Sequence, residues 1–250
     1  KYSEAHANSE VKRFFSKMKR IVDQASQEYA SQLRIPEPIK KTTIAPTGSI
    51  GEVAGVSTGP QSAKYKFHIR RVQYSNTDDT LASIVKDGRR KVEKSVYAAN
   101  TSCVEYVCVD PLFDEAAAFY KDELIKEGLS KAKAAEVSLE MALEYVEDEA
   151  DIPLVDFLAT QRMFQKEYVD NSISFTIYFD PKKIDKQRFK EDLKLFLPDI
   201  KGTTFLPDGS WPQQPLERLT YEDVQEYEKA GYPVERRQAG MECVNGCPIK

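Results

Sequence analysis

"DNSISFTIYF" (residues 170–179) decides the fold class. Ile173, Phe175, Ile177 and Phe179 alternate with Ser174, Thr176 and Tyr178, the two-residue period of a strand with one apolar face and one face of hydroxyls. Just before it, Leu154, Phe157, Leu158, Phe164 and Tyr168 fall on one side of a helix expected near 153–169. After it come a helix expected near 182–196 and a short strand, "TTFLP" (203–207). Helix, strand, helix, strand predicts an α/β fold with a largely parallel sheet, because parallel neighbours need crossover connections.

The same alternation of elements extends upstream. From Val11, the apolar residues Phe14, Phe15, Met18, Ile21, Val22, Ala25, Tyr29 and Leu33 recur at helical spacing, and Pro36 and Pro38 end the pattern. "YKFHIRRVQY" (65–74) and "SCVEYVCVD" (102–110) are strand candidates, with a helix near 79–88 between them. Helices are expected near 112–127, 130–148 and 220–230. Across 250 residues, 36 basic and 40 acidic side chains give a net charge of −4, so no global basic field points to nucleic acid or a membrane as partner. No run is apolar enough for a membrane span and no signal-peptide core is present, which leads to the expectation of a cytoplasmic protein.

Two local features carry chemistry. In "KTTIAPTGSIGEVAGVSTGP" (41–60), a short strand runs into Pro46, Thr47, Gly48, Ser49 and Ile50, small residues whose backbone N–H groups can converge on an anion. A helix starting at Ser49 or Ile50 would add its positive end. From these residues alone an ordinary tight turn is the stronger reading. The second feature is "ECVNGCPIK" (242–250), with two of the four cysteines, Cys243 and Cys247. A disulfide between them would close a small ring and remove little entropy from the unfolded chain. No set of four zinc ligands accompanies them, so no metal site is expected and redox exchange is favoured over metal binding, with incidental thiols on a frayed end as the bland alternative. Residues Gly231 to Cys243 could span roughly 40 Å if extended. Cys103 and Cys108 are expected as buried thiols on opposite faces of a strand. His68, Arg70 and Arg71 could neutralise phosphate or form a solvated basic edge.

The loop segment with "HIRRVQY" after it, then "DNSISFTIYF", "GTTFLPDGSWPQQP" and the closing cysteine pair, resembles, in this order, the C-terminal portion of adenosylcobalamin-dependent (class II) ribonucleotide reductases of the monomeric ribonucleoside-triphosphate type. The stretch from about 112 to 150 matches least. The resemblance implies the C-terminal part of a ten-stranded α/β barrel with peripheral helices and a flexible C-terminal tail: residues 1–230 as a partial barrel domain and 231–250 as a redox tail. It implies that Pro46, Thr47, Gly48, Ser49 and Ile50 hold the phosphates of a ribonucleotide. Cys243 and Cys247 would then reduce a disulfide in the barrel before a thioredoxin-type reductant reduces them. The family's catalytic cysteine lies upstream of the phosphate loop, and no residue before Lys41 is a cysteine. The expectation is a segment that is inactive alone and works with the N-terminal remainder of a reductase and its adenosylcobalamin. The alternative is a non-catalytic subunit of a split reductase that binds nucleotide phosphates or exchanges thiols.

Overall fold

The computed structural model describes residues 1–45, 59–207 and 211–236. In chain order its elements are α1 (Tyr2–Ala5), α2 (Ser9–Leu33), β1 (Phe67–Ser75), α3 (Asp79–Asp87), β2 (Val92–Lys94), β3 (Thr101–Val109), α4 (Pro111–Lys126) and α5 (Lys131–Tyr145). There follow α6 (Leu154–Glu167), β4 (Thr176–Phe179), α7 (Lys186–Phe196), a 3-10 turn (Leu197–Asp199), β5 (Thr204–Pro207), β6 (Leu216–Arg218), α8 (Tyr221–Lys229) and β7 (Val234–Arg236). The chain divides into two compact units, residues 1–62 with 149–208 and residues 63–148 with 209–250.

In the first unit, the alternation of residues 173–179 becomes a buried face. Ile173, Phe175 and Ile177 pack with Phe157, Leu158 and Phe196, each such side chain contributing about 1.5–3 kcal/mol on burial. The strand proper is shorter than the pattern, Thr176–Phe179, and Ile173 makes an isolated parallel bridge to Ile44. β4 and β5 pair in parallel, from Thr176↔Thr204 to Phe179↔Pro207, with α7 as the crossover that the sequence predicts. Asp185 starts α7 by accepting from the amides of Gln187 and Arg188. The buried Gln161 fixes the approach to β5: its amide nitrogen donates to the Gly202 carbonyl at 2.5 Å, and its oxygen accepts from Thr203 at 2.5 Å.

α2 begins at its Asn8 cap and ends at Arg34, whose φ of 55° stops the helix before either proline. It packs edge-on through Phe15 against Phe164, with centroids 4.8 Å apart. Its apolar stripe is only partly used, because Phe14, Ile21, Tyr29 and Leu33 remain about half exposed or more.

The second unit corrects the expectation of a largely parallel sheet. β1 and β3 are antiparallel over nine registered pairs, from Phe67↔Val109 to Ser75↔Thr101. β2 is antiparallel to β3 on its other side, so β1 and β2 run in the same direction with β3 inserted between them. The crossover rule therefore holds for β1, α3 and β2, and the sheet is a split βαβ arrangement. β6 extends the sheet beyond β1, and β7 adds a parallel pairing to the end of β3. Residues of both sheet faces are buried: Phe67, Val107 and Val109 pack with Phe113, Ala142 and Val224, whereas Val104, Tyr106 and Cys108 pack with Leu81. Among the described residues, no helix is long and apolar enough to cross a membrane.

Candidate functional site

Pro46, Thr47, Gly48, Ser49 and Ile50 lie outside the described residues, as do Cys243 and Cys247. Residues 41–45 and 59–60 on either side of the loop, and residues 234–236 upstream of the cysteine pair, are described, and these stems are built differently.

Residues 41–45 run beside residues 168–174. Thr42 Oγ1 donates to the Tyr168 carbonyl at 2.5 Å and accepts from the Asp170 amide at 3.0 Å. The Asn171 amide donates to the Thr42 carbonyl at 3.0 Å, and the Ser174 amide donates to the Ile44 carbonyl at 3.0 Å. Thr43 adds a bond to the Ser172 carbonyl at 3.0 Å. Asp170 is the hub: its Oδ2 accepts from Lys19 Nζ at 2.8 Å, from the Lys41 amide at 3.0 Å and from Thr42 Oγ1 at 3.3 Å. Burial works to raise the pKa of Asp170, but the bonds from Lys19, Lys41 and Thr42 outweigh it and hold the carboxyl below its ordinary value of 3.8.

The far end of the loop is held from the N-terminus of the chain. Tyr2 donates to the Pro60 carbonyl at 2.7 Å, and its ring packs on Phe157 at 5.5 Å. Burial pushes the Tyr2 phenol up, so it stays a neutral donor. Gly59 turns the chain just before Pro60 with φ +137°, a backbone conformation that side chains rarely adopt.

The stem of the cysteine tail is β7, three residues paired in register with Val107, Cys108 and Val109. Glu235 accepts from Arg70 Nη2 at 3.3 Å and from Arg90 Nη2 at 3.1 Å. Arg236 donates to Asp114 at 2.7 Å and to Glu228 at 3.4 Å. Gly231, with φ +83°, turns the chain from α8 toward this strand.

Arg70, Arg71, Cys103 and Cys108 have structural roles. Arg71 is committed to Glu105 at 2.7 Å and Glu217 at 2.5 Å, with its side chain only 10% exposed, and Arg70 to Glu235. A solvated basic edge does not describe them, because the carboxylates that quench these charges sit on β3, β6 and β7, far away in sequence. Cys103 and Cys108 are buried thiols. Cys108 shares its face with Val104 and Tyr106, and Cys103, five residues earlier, takes the other. Burial pushes the Cys103 thiol up, away from the thiolate that nucleophilic chemistry needs. Asn100 forms the left-handed turn before β3, with φ 58°, and its carbonyl accepts from the Asn76 amide. Sequence reasoning missed Tyr2, Thr42, Asp170 and Glu235, whose partners are up to 165 residues away.

Known proteins resemble this chain along most of its length. No protein-family model matches the chain. A putative adenosylcobalamin-dependent ribonucleoside-triphosphate reductase of Mycobacterium phage D29 is 34% identical over 257 aligned residues, covering all of this chain and 34% of that protein. The adenosylcobalamin-dependent ribonucleoside-triphosphate reductase of Levilactobacillus brevis is 29% identical over 83% of this chain and 24% of its own length. Its counterpart in Lactobacillus gasseri is 28% identical over 92% of this chain and 29% of its own length. The chain thus spans between about a quarter and a third of the length of these relatives. A crystal structure of a B12-dependent (class II) ribonucleotide reductase shares the fold, with a TM-score of 0.63 over 89% of this chain and 27% of that one, at 22% identity.

Proposed function

From a chain that is a relative of the adenosylcobalamin-dependent ribonucleoside-triphosphate reductases and corresponds to a portion of their length, we infer a C-terminal reductase segment with two duties. The loop Pro46 to Ile50 holds the phosphates of a ribonucleotide, and the Cys243–Cys247 dithiol returns electrons to the active site. The observation that carries this reading is the 34% identity to the phage D29 protein over the whole chain. In the complete reductase, the strands of this segment form part of a ten-stranded α/β barrel. The N-terminal remainder carries the radical chemistry, and the segment alone is inactive.

The reaction of the whole protein balances as follows. A ribonucleotide and two thiols become a 2′-deoxyribonucleotide, one water and one disulfide, with the ribose 2′-hydroxyl leaving as the water. Adenosylcobalamin supplies the radical that starts this chemistry. No step on the cofactor is assigned to this chain.

Its own residues bind and reduce. Backbone N–H groups of the loop donate to phosphate oxygens, at a position fixed by the Thr42–Asp170 stem and the Tyr2–Pro60 bond. In the tail, one thiolate of the pair attacks a sulfur of the active-site disulfide and releases the other sulfur as a thiolate. The second tail thiolate then attacks the mixed disulfide, leaving the active site as a dithiol and the tail as a disulfide. A thioredoxin-type dithiol resets the tail by the same exchange.

The test is Cys243→Ser in the full-length reductase, assayed with a protein dithiol and separately with a small dithiol that enters the active site directly. Turnover with the protein reductant should fall at least 100-fold while turnover with the small dithiol persists. Unchanged turnover with the protein reductant would sink the shuttle assignment.

A further inference from the structure

We propose that Glu235 is a positioning residue for the tail: by bridging Arg70 and Arg90 it pins β7 and fixes the point from which the cysteine pair works. The proposal rests on the reading of Cys243 and Cys247 as a redox pair, and adds to it a device that sets their reach.

A three-residue parallel strand has little hold of its own. Side chains supply the rest. The Glu235 carboxylate divides its oxygens, Oε2 to Arg70 at 3.3 Å and Oε1 to Arg90 at 3.1 Å. Both guanidinium groups lie over one ring, that of Tyr106, at 5.5 Å and 4.2 Å from its centroid. The ring is held in turn by a 2.7 Å hydroxyl-to-hydroxyl bond between Tyr106 and Tyr74. Among the described residues, Arg70 Nε and Arg90 Nη1 are buried without an acceptor. The bridging carboxylate is therefore what neutralises two cations stacked on one tyrosine, and without it they repel each other. The site is also better shielded than its neighbour, since Arg90 is 17% exposed and Arg236 is 40%, so its ion pairs are screened less.

Pinning sets the number of residues between the last held position and Cys243. Measured from Arg236, Cys243 is seven residues away and reaches about 25 Å if extended; measured from Gly231, it is twelve away and reaches about 40 Å. For a tether already long enough to span the distance, lengthening from seven residues to twelve dilutes its end group about two-fold, because effective concentration then falls roughly as the −3/2 power of length.

Glu235→Gln in the full-length reductase tests this. The ratio of turnover with a protein dithiol to turnover with a small dithiol should fall about two-fold or more, and the backbone amides of residues 234–236 should exchange hydrogen faster. Equal loss with both reductants would mean that the bridge supports only the sheet, and an unchanged or increased ratio would mean that pinning does not govern the tail; either result overturns the proposal. Cys243→Ser is run in parallel. If it abolishes turnover with the protein reductant while Glu235→Gln leaves the ratio intact, the positioning role alone falls. If Cys243→Ser has no effect, the redox reading itself falls.

Discussion

Residues 41–45, which lead into the glycine- and threonine-rich loop, and residues 234–236, which lead into the cysteine tail, are held by different physics. The loop stem is fixed mainly by backbone and hydroxyl hydrogen bonds gathered around Thr42 and Asp170, with a single ion pair from Lys19 to Asp170 and with Ile44 bridged to the buried Ile173. The tail stem is fixed by ion pairs from a three-residue strand, several of them at the surface. Short-range hydrogen bonds change little with ionic strength, whereas exposed ion pairs weaken as salt screens them. The difference suits the proposed duties: a substrate loop must stay in place, and an electron carrier must leave and return.

The comparison breaks most visibly if the loop stem proves soft. Ile173→Ala removes a buried side chain, 4% exposed, from both the core and the bridge to Ile44. It should cost about 3 kcal/mol in urea unfolding; a loss well under 1 kcal/mol would mean that this stem is not anchored by the core.

A smaller effect sharpens the electrostatics of the same stem. Asp170→Asn keeps the shape but removes the charge that accepts from Lys19 and Lys41, at a cost of about 1 kcal/mol near neutral pH. Because the folded carboxyl has its pKa lowered from 3.8, its contribution is complete well above that value and is lost as pH falls through and below it. Acid unfolding of the wild type should therefore be steeper below about pH 4 than that of Asp170→Asn. Identical acid limbs would remove Asp170 as the hub.

The smallest effect is expected at the tail stem. Arg236→Ala should cost no more than about 0.5 kcal/mol at low salt and nothing measurable at 1 M salt. A loss that persists in high salt would show the tail stem to be as firmly built as the loop stem, and the contrast would disappear.

Much of this architecture was legible in sequence. The alternation in residues 173–179, the α7 crossover and the long apolar repeat of α2 all follow from periodicity. What periodicity does not carry is the identity of a neighbour. The insertion of β3 between β1 and β2 depends on pairing at a distance, and β2, β6 and β7 have three residues each, too few to show a two-residue period. The candidate site divides in the same way. The loop and the cysteine pair stand out as local motifs. Asp170 and Glu235, which anchor the stems, have nothing local to mark them, because their partners lie 129 and 165 residues away. Neither sequence-level alternative for Arg71, phosphate neutralisation or a solvated basic edge, includes its actual partners for the same reason: Glu105 and Glu217 reach it only through the sheet.

The central claim, that the tail carries electrons to a disulfide elsewhere in the reductase, is tested most directly by trapping the intermediate. Full-length Cys243→Ser and Cys247→Ser variants, oxidised during turnover and digested without reduction, are examined by mass spectrometry for linked peptides. The account predicts that one of the two variants accumulates a mixed disulfide between its remaining tail cysteine and an active-site cysteine. Tail cysteines linked only to small thiols in both variants would contradict it.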